Sequence, residues 1–277
     1  MAAFLCTACG MQFEPTPAPP PSCPICEEER QFVPETGQGW ITMAELRRRH
    51  INAFRQYEPG LLGIGTVPHF AIGQRALLLV TDVGNILWDC ISLVDDATIS
   101  VIRAMGGLAA IAVSHPHYYS SIIEWSRAFG DVPIFLHEAD RRWVMRPDPA
   151  IEFWAGEHLL LADGITLIRC GGHFAGGTVL HWEEAAAGRG ALLSGDVIQV
   201  VADNRHVSFM RSFPNYIPLS EAAVRRIEAA VNPFPFDKIY GAFWDRLIET
   251  DGKSALQRSA ERYVLSITGH GAADDEQ

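Results

Sequence analysis

The sequence predicts an α/β protein with a small cysteine-bound unit at its N-terminus. Three observations predict it. Short apolar runs, two of them joined by Asp/Gly-rich turns, give way to alternating strand and helix patterns. Four of the six cysteines fall within the first 26 positions as two Cys-x-x-Cys pairs. Histidines and an aspartate stand directly after three of the apolar runs. A length of 277 residues accommodates one large domain with a small one beside it.

Composition narrows the function. With 20% charged and 48% hydrophobic residues the chain has the material for a packed core. Its 33 acidic against 22 basic side chains give a formal net charge of −11, which disfavours a nucleic-acid partner. No run of about 18 apolar residues is available for a membrane span. The start, Met1-Ala-Ala-Phe-Leu-Cys6, lacks the basic and apolar regions of a signal peptide. The expectation is a cytoplasmic protein acting on a small-molecule substrate, without nucleic acid or membrane, and with an assembly of identical chains left open.

The first unit is read from its punctuation. Cys6-Thr-Ala-Cys9-Gly10 is followed by the proline-rich stretch Pro15 to Ser22 and then by Cys23-Pro24-Ile-Cys26. Prolines lack the N–H that a helix or central strand requires, so the stretch is a loop between two knuckles. Cys6, Cys9, Cys23 and Cys26 can present four thiolates tetrahedrally to one soft cation, and Gly10 suits a knuckle turn of positive φ. A structural zinc ion there would replace the core that about 35 residues cannot build. Two disulfides, or an iron centre of the rubredoxin kind, are the other readings. The boundary is placed at residue 35, giving a four-cysteine zinc-ribbon unit over 1–35 and a second domain over 36–277. Cys90 and Cys170 lie outside the pattern and read as small buried apolar residues.

The second domain opens on a helix at Thr42-Met-Ala-Glu45, which carries a capping-box pattern. Ala76 to Val80 and Ile86 to Asp89 form a hairpin across Asp82-Val-Gly84-Asn85, and Leu159 to Leu161 and Ile165 to Ile168 form another across Asp163-Gly164. Further strands are expected at Ala109 to Val113, Thr178 to Trp182, Ala191 to Leu193 and Lys238 to Tyr240. Helices are expected at Ser121 to Phe129, Glu221 to Val231 and Lys253 to Ile267, the second capped by Ser220.

The chemistry sits at strand ends. The strand at 109–113 runs into Ser114-His115-Pro116-His117-Tyr118-Tyr119-Ser120, where residues two apart can share a side and reach one ion. Alone, this pair reads equally as two polar loop histidines. Two more segments add to it: Cys170-Gly171-Gly172-His173 after one strand, and Gly195-Asp196 after another. Loops at strand ends are where an open α/β site is built.

Over roughly residues 60–245 this order of segments resembles the metallo-β-lactamase superfamily of metal-dependent hydrolases. The resemblance implies an αββα sandwich with its site at one edge of two facing sheets. It implies that His115, His117 and His173 form the first metal site, and that Asp196 is the carboxylate that bridges two metals in dinuclear relatives. The chain departs from the family pattern at Tyr119 and Ser120, where relatives carry Asp-His, and at Gly241-Ala242-Phe243-Trp244, where a last histidine usually follows the strand. One metal in this domain is therefore expected. Ser121-Ile-Ile-Glu124, with Ser120 as the alternative cap, reads as a capping box that starts the helix where relatives place ligands.

Three imidazoles on zinc leave a position for a water whose pKa falls to around 7, giving hydroxide at neutral pH. The expected function is hydrolysis of an ester, thioester, lactone or amide-type small molecule by that hydroxide. Asp196 would ligate the metal or take a hydrogen bond from its water, and Tyr118 and Tyr119 either donate to a developing oxyanion or pack with a wet hydroxyl. Two other functions compete: a catalytically inactive binding protein of the same fold, and an iron-dependent oxidoreductase.

Overall fold

A computed structural model describes residues 1–269. Contacts divide the chain into two compact units, Met1–Trp154 and Ala155–Gln277. The cysteine segment 1–35 lies inside the first.

In the first unit, β1 (Phe4–Cys6) pairs antiparallel with β2 (Trp40–Thr42), so residues on either side of the cysteine segment close on each other. Between them stands a single turn of helix, α1 (Pro24–Glu27). The capping box read at Thr42 is formed at the start of α2 (Met43–Arg49): Thr42 Oγ1 accepts from Glu45 N–H, and Thr42 N–H donates to Glu45 Oε2 at 2.9 Å. Arginines 47 to 49 occupy its last turn, where cations favour the helix dipole.

The main sheet of this unit has seven strands in chain order: β3 (Ile51–Glu58), β4 (Leu61–Val67), β5 (Arg75–Leu79), β6 (Ile86–Trp88), β7 (Ala110–Ala112), β8 (Ile134–His137) and β9 (Ile151–Trp154). Pairing is antiparallel from β3 to β6 and parallel from β6 to β9. Parallel neighbours need crossovers, which α3 (Asp96–Ala104) and α4 (Ile122–Ala128) supply for β6–β7 and β7–β8, and a 3-10 segment (Glu138–Trp143) for β8–β9. β5, β6 and β7 are buried at every residue, Arg75 at the start of β5 included. The hairpin read at 76–89 is present as β5 and β6. The longer β3–β4 hairpin was not legible, because β3 lies at the sheet edge and its residues Ile51-Asn-Ala-Phe-Arg-Gln-Tyr-Glu58 alternate poorly.

One cap differs from the sequence reading. Ser121 precedes α4 but makes no capping hydrogen bond. Its hydroxyl instead donates to Ser92 O at 2.8 Å, and Ser120 Oγ turns to Tyr118 O at 3.4 Å. A buried tertiary acceptor has displaced the local one.

The second unit holds a six-stranded sheet ordered β10 (His158–Ala162), β11 (Ile165–Arg169), β12 (Thr178–Trp182), β13 (Ala191–Gly195), β18 (Lys238–Gly241) and β19 (Leu247–Ile248). Only the β13–β18 pair is parallel. Two small antiparallel pairs intervene, β14 (Gln199–Val200) with β15 (Val207–Ser208) and β16 (Met210–Ser212) with β17 (Ile217–Pro218). Beyond the short turn α5 (Ala185–Gly188), the helices are α6 (Glu221–Val231) and α7 (Gly252–Ile267). Ser220 caps α6 as expected, its hydroxyl accepting from Ala223 N–H. Val224, Ile227 and Val231 of α6 recur at helical spacing and pack with Leu256, Ala260 and Val264 of α7 on Val179, Leu192 and Ile239 of the sheet. Mixed sheets with helices in both units fulfil the α/β expectation. No helix among the described residues is long and apolar enough to cross a membrane.

A small network fastens α3 to the β3–β4 hairpin. Asp95 caps α3 by accepting from Thr98 N–H at 2.8 Å, and Asn52 Nδ2 donates to Asp95 Oδ2 at 3.0 Å. Thr66 Oγ1 completes it by donating to Asn52 Oδ1 at 3.0 Å. Asp95→Ala is expected to lower unfolding free energy by about 1–2 kcal/mol, the cost of a lost N-cap, read as a shifted urea midpoint with an unchanged slope.

Candidate metal centre

Among the described residues Cys6, Cys9, Cys23 and Cys26 have metal-holding spacing, one donor atom of each lying within 4.8 Å of the others. His115 and His117 stand in the first unit and His173 and Asp196 in the second, and all eight residues are buried.

In the cysteine group the short sulfur distances run between the knuckles. Cys6 Sγ lies 3.6 Å from Cys26 Sγ, and Cys9 Sγ lies 3.6 Å from Cys23 Sγ. A tetrahedral ion with metal–sulfur bonds of about 2.3 Å has sulfur–sulfur edges of about 3.8 Å, so the four sulfurs fit one soft cation. Among the described residues none of the six cysteines is in a disulfide. Gly10 has a φ of 81°, as the knuckle turn requires. Hydrogen bonds from Cys23 and Cys26 pull the Cys6 thiol far below its ordinary range, and one from Cys26 lowers Cys23. Cys9 and Cys26 are pushed up, chiefly by hydrogen bonding with Cys23. Burial raises Cys90 and pushes Cys170 up to about 12, so both are inert thiols in the core.

The histidine loop begins where β7 ends. Asp89 follows β6 with a φ of 61°, a left-handed conformation that turns its carboxylate back onto the neighbouring strand. Asp89 Oδ1 accepts the Ser114 N–H at 2.8 Å, one residue before His115. Ser114 Oγ lies 2.9 Å from His115 Nδ1, which orients that ring toward coordination through Nε2. Pro116–Tyr118 then forms a turn of 3-10 helix that carries His117. The His115 and His117 rings stand 5.2 Å apart at 74°, and the Tyr118 ring meets His115 edge-on at 5.4 Å. Tyr118 is fully buried and Tyr119 is 3% exposed. Burial, with Asp140 nearby, pushes the Tyr119 phenol well above its ordinary value and keeps it protonated.

His173 sits in a loop closed by hydrogen bonds from Cys170 and Gly171 N–H to Gly177 O, at 2.8 and 2.9 Å. His173 Nδ1 lies 3.1 Å from Met210 O. A carbonyl can only accept, so the neutral ring carries its proton on Nδ1 and its lone pair on Nε2. Phe174 and Phe213 flank the ring at 5.0 and 5.7 Å. Asp196 leaves β13 in a turn fixed by Ser194, whose hydroxyl donates to Ile198 O at 2.7 Å and whose carbonyl accepts from Val197 N–H at 3.2 Å.

Sequence reasoning did not find Asp89, Ser114, Ser194 or the Met210 carbonyl. The signal for Asp89 was available: an aspartate closing an apolar strand beside the strand that bears the histidines. The Met210 carbonyl left none, because a backbone acceptor has no residue type. Among the remaining histidines, His181 Nε2 donates to Pro235 O at 2.6 Å, and His206 pairs with Asp203 at 2.7 Å on the surface, so both have structural partners.

No protein-family model matches the sequence. Solved structures with the same fold are metallo-β-lactamases. VMB-1 superposes with a TM-score of 0.58 at 12% identity, over 78% of this chain and 98% of its own. The mono-zinc form of FIM-1 from Pseudomonas aeruginosa gives 0.59 at 12% identity, over 77% and 96%. A Cronobacter sakazakii metallo-β-lactamase gives 0.51 at 17% identity, over 81% and 96%. The chain thus has a metallo-β-lactamase fold with a four-cysteine cluster near its N-terminus. The uncharacterized protein YmaE of Bacillus subtilis (strain 168) is 45% identical over 269 residues, spanning 96% of this chain and 97% of that one, and the chain belongs to its family.

The loop bearing His173 depends on one glycine. Gly172 has a φ of 77°, and a Cβ there would stand 2.8 Å from Ile227 Cδ1 and 2.9 Å from Leu219 Cδ1. Gly172→Ala is expected to cost about 1–3 kcal/mol through left-handed strain and crowding against α6. Urea denaturation would show it, and an unchanged midpoint would show that the loop relaxes freely.

Proposed function

We infer that the chain is a hydrolase using a single zinc ion at His115, His117, His173 and Asp196, with a second zinc ion at the four cysteines serving only the fold. The substrate class is a small molecule with an ester, thioester, lactone or amide carbonyl. The observation that supports this reading is the metallo-β-lactamase fold with His115 and His117 on one buried loop, and a buried His173 and Asp196 each following a strand. The donor sets agree with zinc: four sulfurs suit a closed structural site, and a nitrogen-rich set suits one that keeps a position open for water or substrate. When bound there, zinc acts as a Lewis acid and brings the pKa of water to around 7.

The chain's own residues supply the rest. The Met210 carbonyl holds His173 in one tautomer, and Ser114 orients the His115 ring through its Nδ1. Asp196 contributes a carboxylate that can ligate or take a proton. Their burial makes Tyr118 and Tyr119 supports for the loop: the Tyr118 ring braces His115, and the Tyr119 phenol stays neutral beside Asp140. A formal net charge of −11 opposes anionic substrates and favours neutral acyl compounds.

Metal analysis with a hydrolysis panel tests this. Wild-type protein should hold about two zinc ions per chain, and His115→Ala about one, with loss of turnover on the ester, thioester, lactone and amide panel. Unchanged metal content in His115→Ala would sink the reading. Metal binding without turnover would favour a binding protein instead. Separately, Tyr118→Phe should keep zinc, whereas Tyr118→Ala should weaken binding at the histidine site about 10- to 100-fold, as the loss of a ligand's brace does elsewhere.

A further inference from the structure

We propose that the cysteine unit is a clamp on the histidine loop, with Gln12, Ser92 and Arg146 as the positioning residues that transmit its fold to His115 and His117. The proposal rests on the reading above only for what the loop holds.

The links all lie in the first unit. Gly10, beside Cys9, offers its carbonyl to Ser92 Oγ at 3.0 Å. Ser92 O in turn accepts the Ser121 hydroxyl at 2.8 Å. Gln12 N–H donates to Ser120 O at 3.2 Å. Arg146 Nη1 donates both to Gln12 Oε1 and, at 2.7 Å, to Glu124 Oε1 on α4. The segment from Cys9 to Gln12 is therefore tied to residues 120, 121 and 124, which follow His117 directly. Gln12, Ser92, Ser120, Ser121 and Arg146 are all buried, where hydrogen bonds are strong and losing one partner is costly.

Packing adds to the links. Cys9, Ser92, His117 and Ser120 line one cavity of about 20 Å³, little more than a water's space. A Cβ on Gly10 would meet Ser92 Oγ at 2.4 Å, so the knuckle is seated against Ser92 with no slack. The loop needs such support, because a three-residue 3-10 turn makes few and poorly aligned bonds of its own. The knuckle, in turn, is ordered by what its sulfurs hold. Loading of the cysteine site therefore sets how well the histidine site binds metal.

Cobalt(II) titration of the full chain reads the two sites separately, since sulfur-to-cobalt charge-transfer bands mark only the cysteine site. In Ser92→Ala and Gln12→Ala the charge-transfer bands should stay as in wild type while affinity for the second ion falls about 10- to 100-fold. Gln12→Glu keeps an acceptor for Arg146 and should restore it. Cys23→Ser, which disrupts the cysteine site, should weaken the second ion as well. Unchanged second-ion affinity in Ser92→Ala and Gln12→Ala, with cysteine bands intact, would overturn the clamp. So would equal weakening at both sites, which would mark a general loss of fold; far-UV circular dichroism identifies a variant that has unfolded, and Gln12→Glu then decides against the clamp if its second-ion affinity does not exceed that of Gln12→Ala. Uptake of one ion by wild type removes both proposals, whereas two ions without hydrolysis remove the hydrolase reading and leave the clamp.

Discussion

The hydrogen bond from Ser114 N–H to Asp89 Oδ1 decides where β7 stops being a strand and becomes a ligand-bearing turn. Both groups are buried, so each needs the other: an unmet amide or carboxylate there costs several times what a formed bond contributes. The carboxylate reaches across because Asp89 adopts a left-handed backbone conformation, which also brings its own N–H to Ala112 O at 2.8 Å. These two contacts lock the ends of β6 and β7 together. His115 and His117 follow within three residues, so the position of every later atom in the loop inherits this lock.

The same logic recurs at the other ligand segments with different chemistry. His173 is held by a carbonyl on its Nδ1 and by closure of the Cys170–Gly177 loop. The turn that carries Asp196 is held by Ser194, whose hydroxyl donates to Ile198 O. In each case a strand ends, a glycine or a left-handed residue lets the backbone turn, and a buried polar group fixes the loop. Rigid partners are what make imidazoles and a carboxylate usable as a ligand set, since positional slack of about 0.5 Å already loosens such a site.

Much of this was legible in the sequence because ligand side chains have unmistakable types and stand at strand ends that apolar runs reveal. The four cysteines, the three histidines and Asp196 were found that way. The partners that orient them were harder, because Ser114 and Ser194 are common residues whose role depends on what lies across from them. Ser121 shows why local reading fails: its Ser-x-x-Glu pattern promised a capping box, yet the buried Ser92 carbonyl took the hydroxyl instead. β3 was missed for a related reason, since an edge strand has one ladder and a half-exposed face and so leaves little periodicity to read.

Positions 119 and 120 carry the departure from the family pattern with the widest consequence. Relatives place Asp-His there, and a second ion would tie that stretch to the rest of the site. Here Tyr119 is sealed in the core, and Ser120 gives its carbonyl to Gln12 of the cysteine unit. Loss of second-site ligands removes a cross-link from a short turn with little stability of its own. On the clamp proposed above, a cation held by four sulfurs would supply a cross-link of the same kind from outside the turn, because the cysteine segment reaches residues 120, 121 and 124 through Gln12, Ser92 and Arg146.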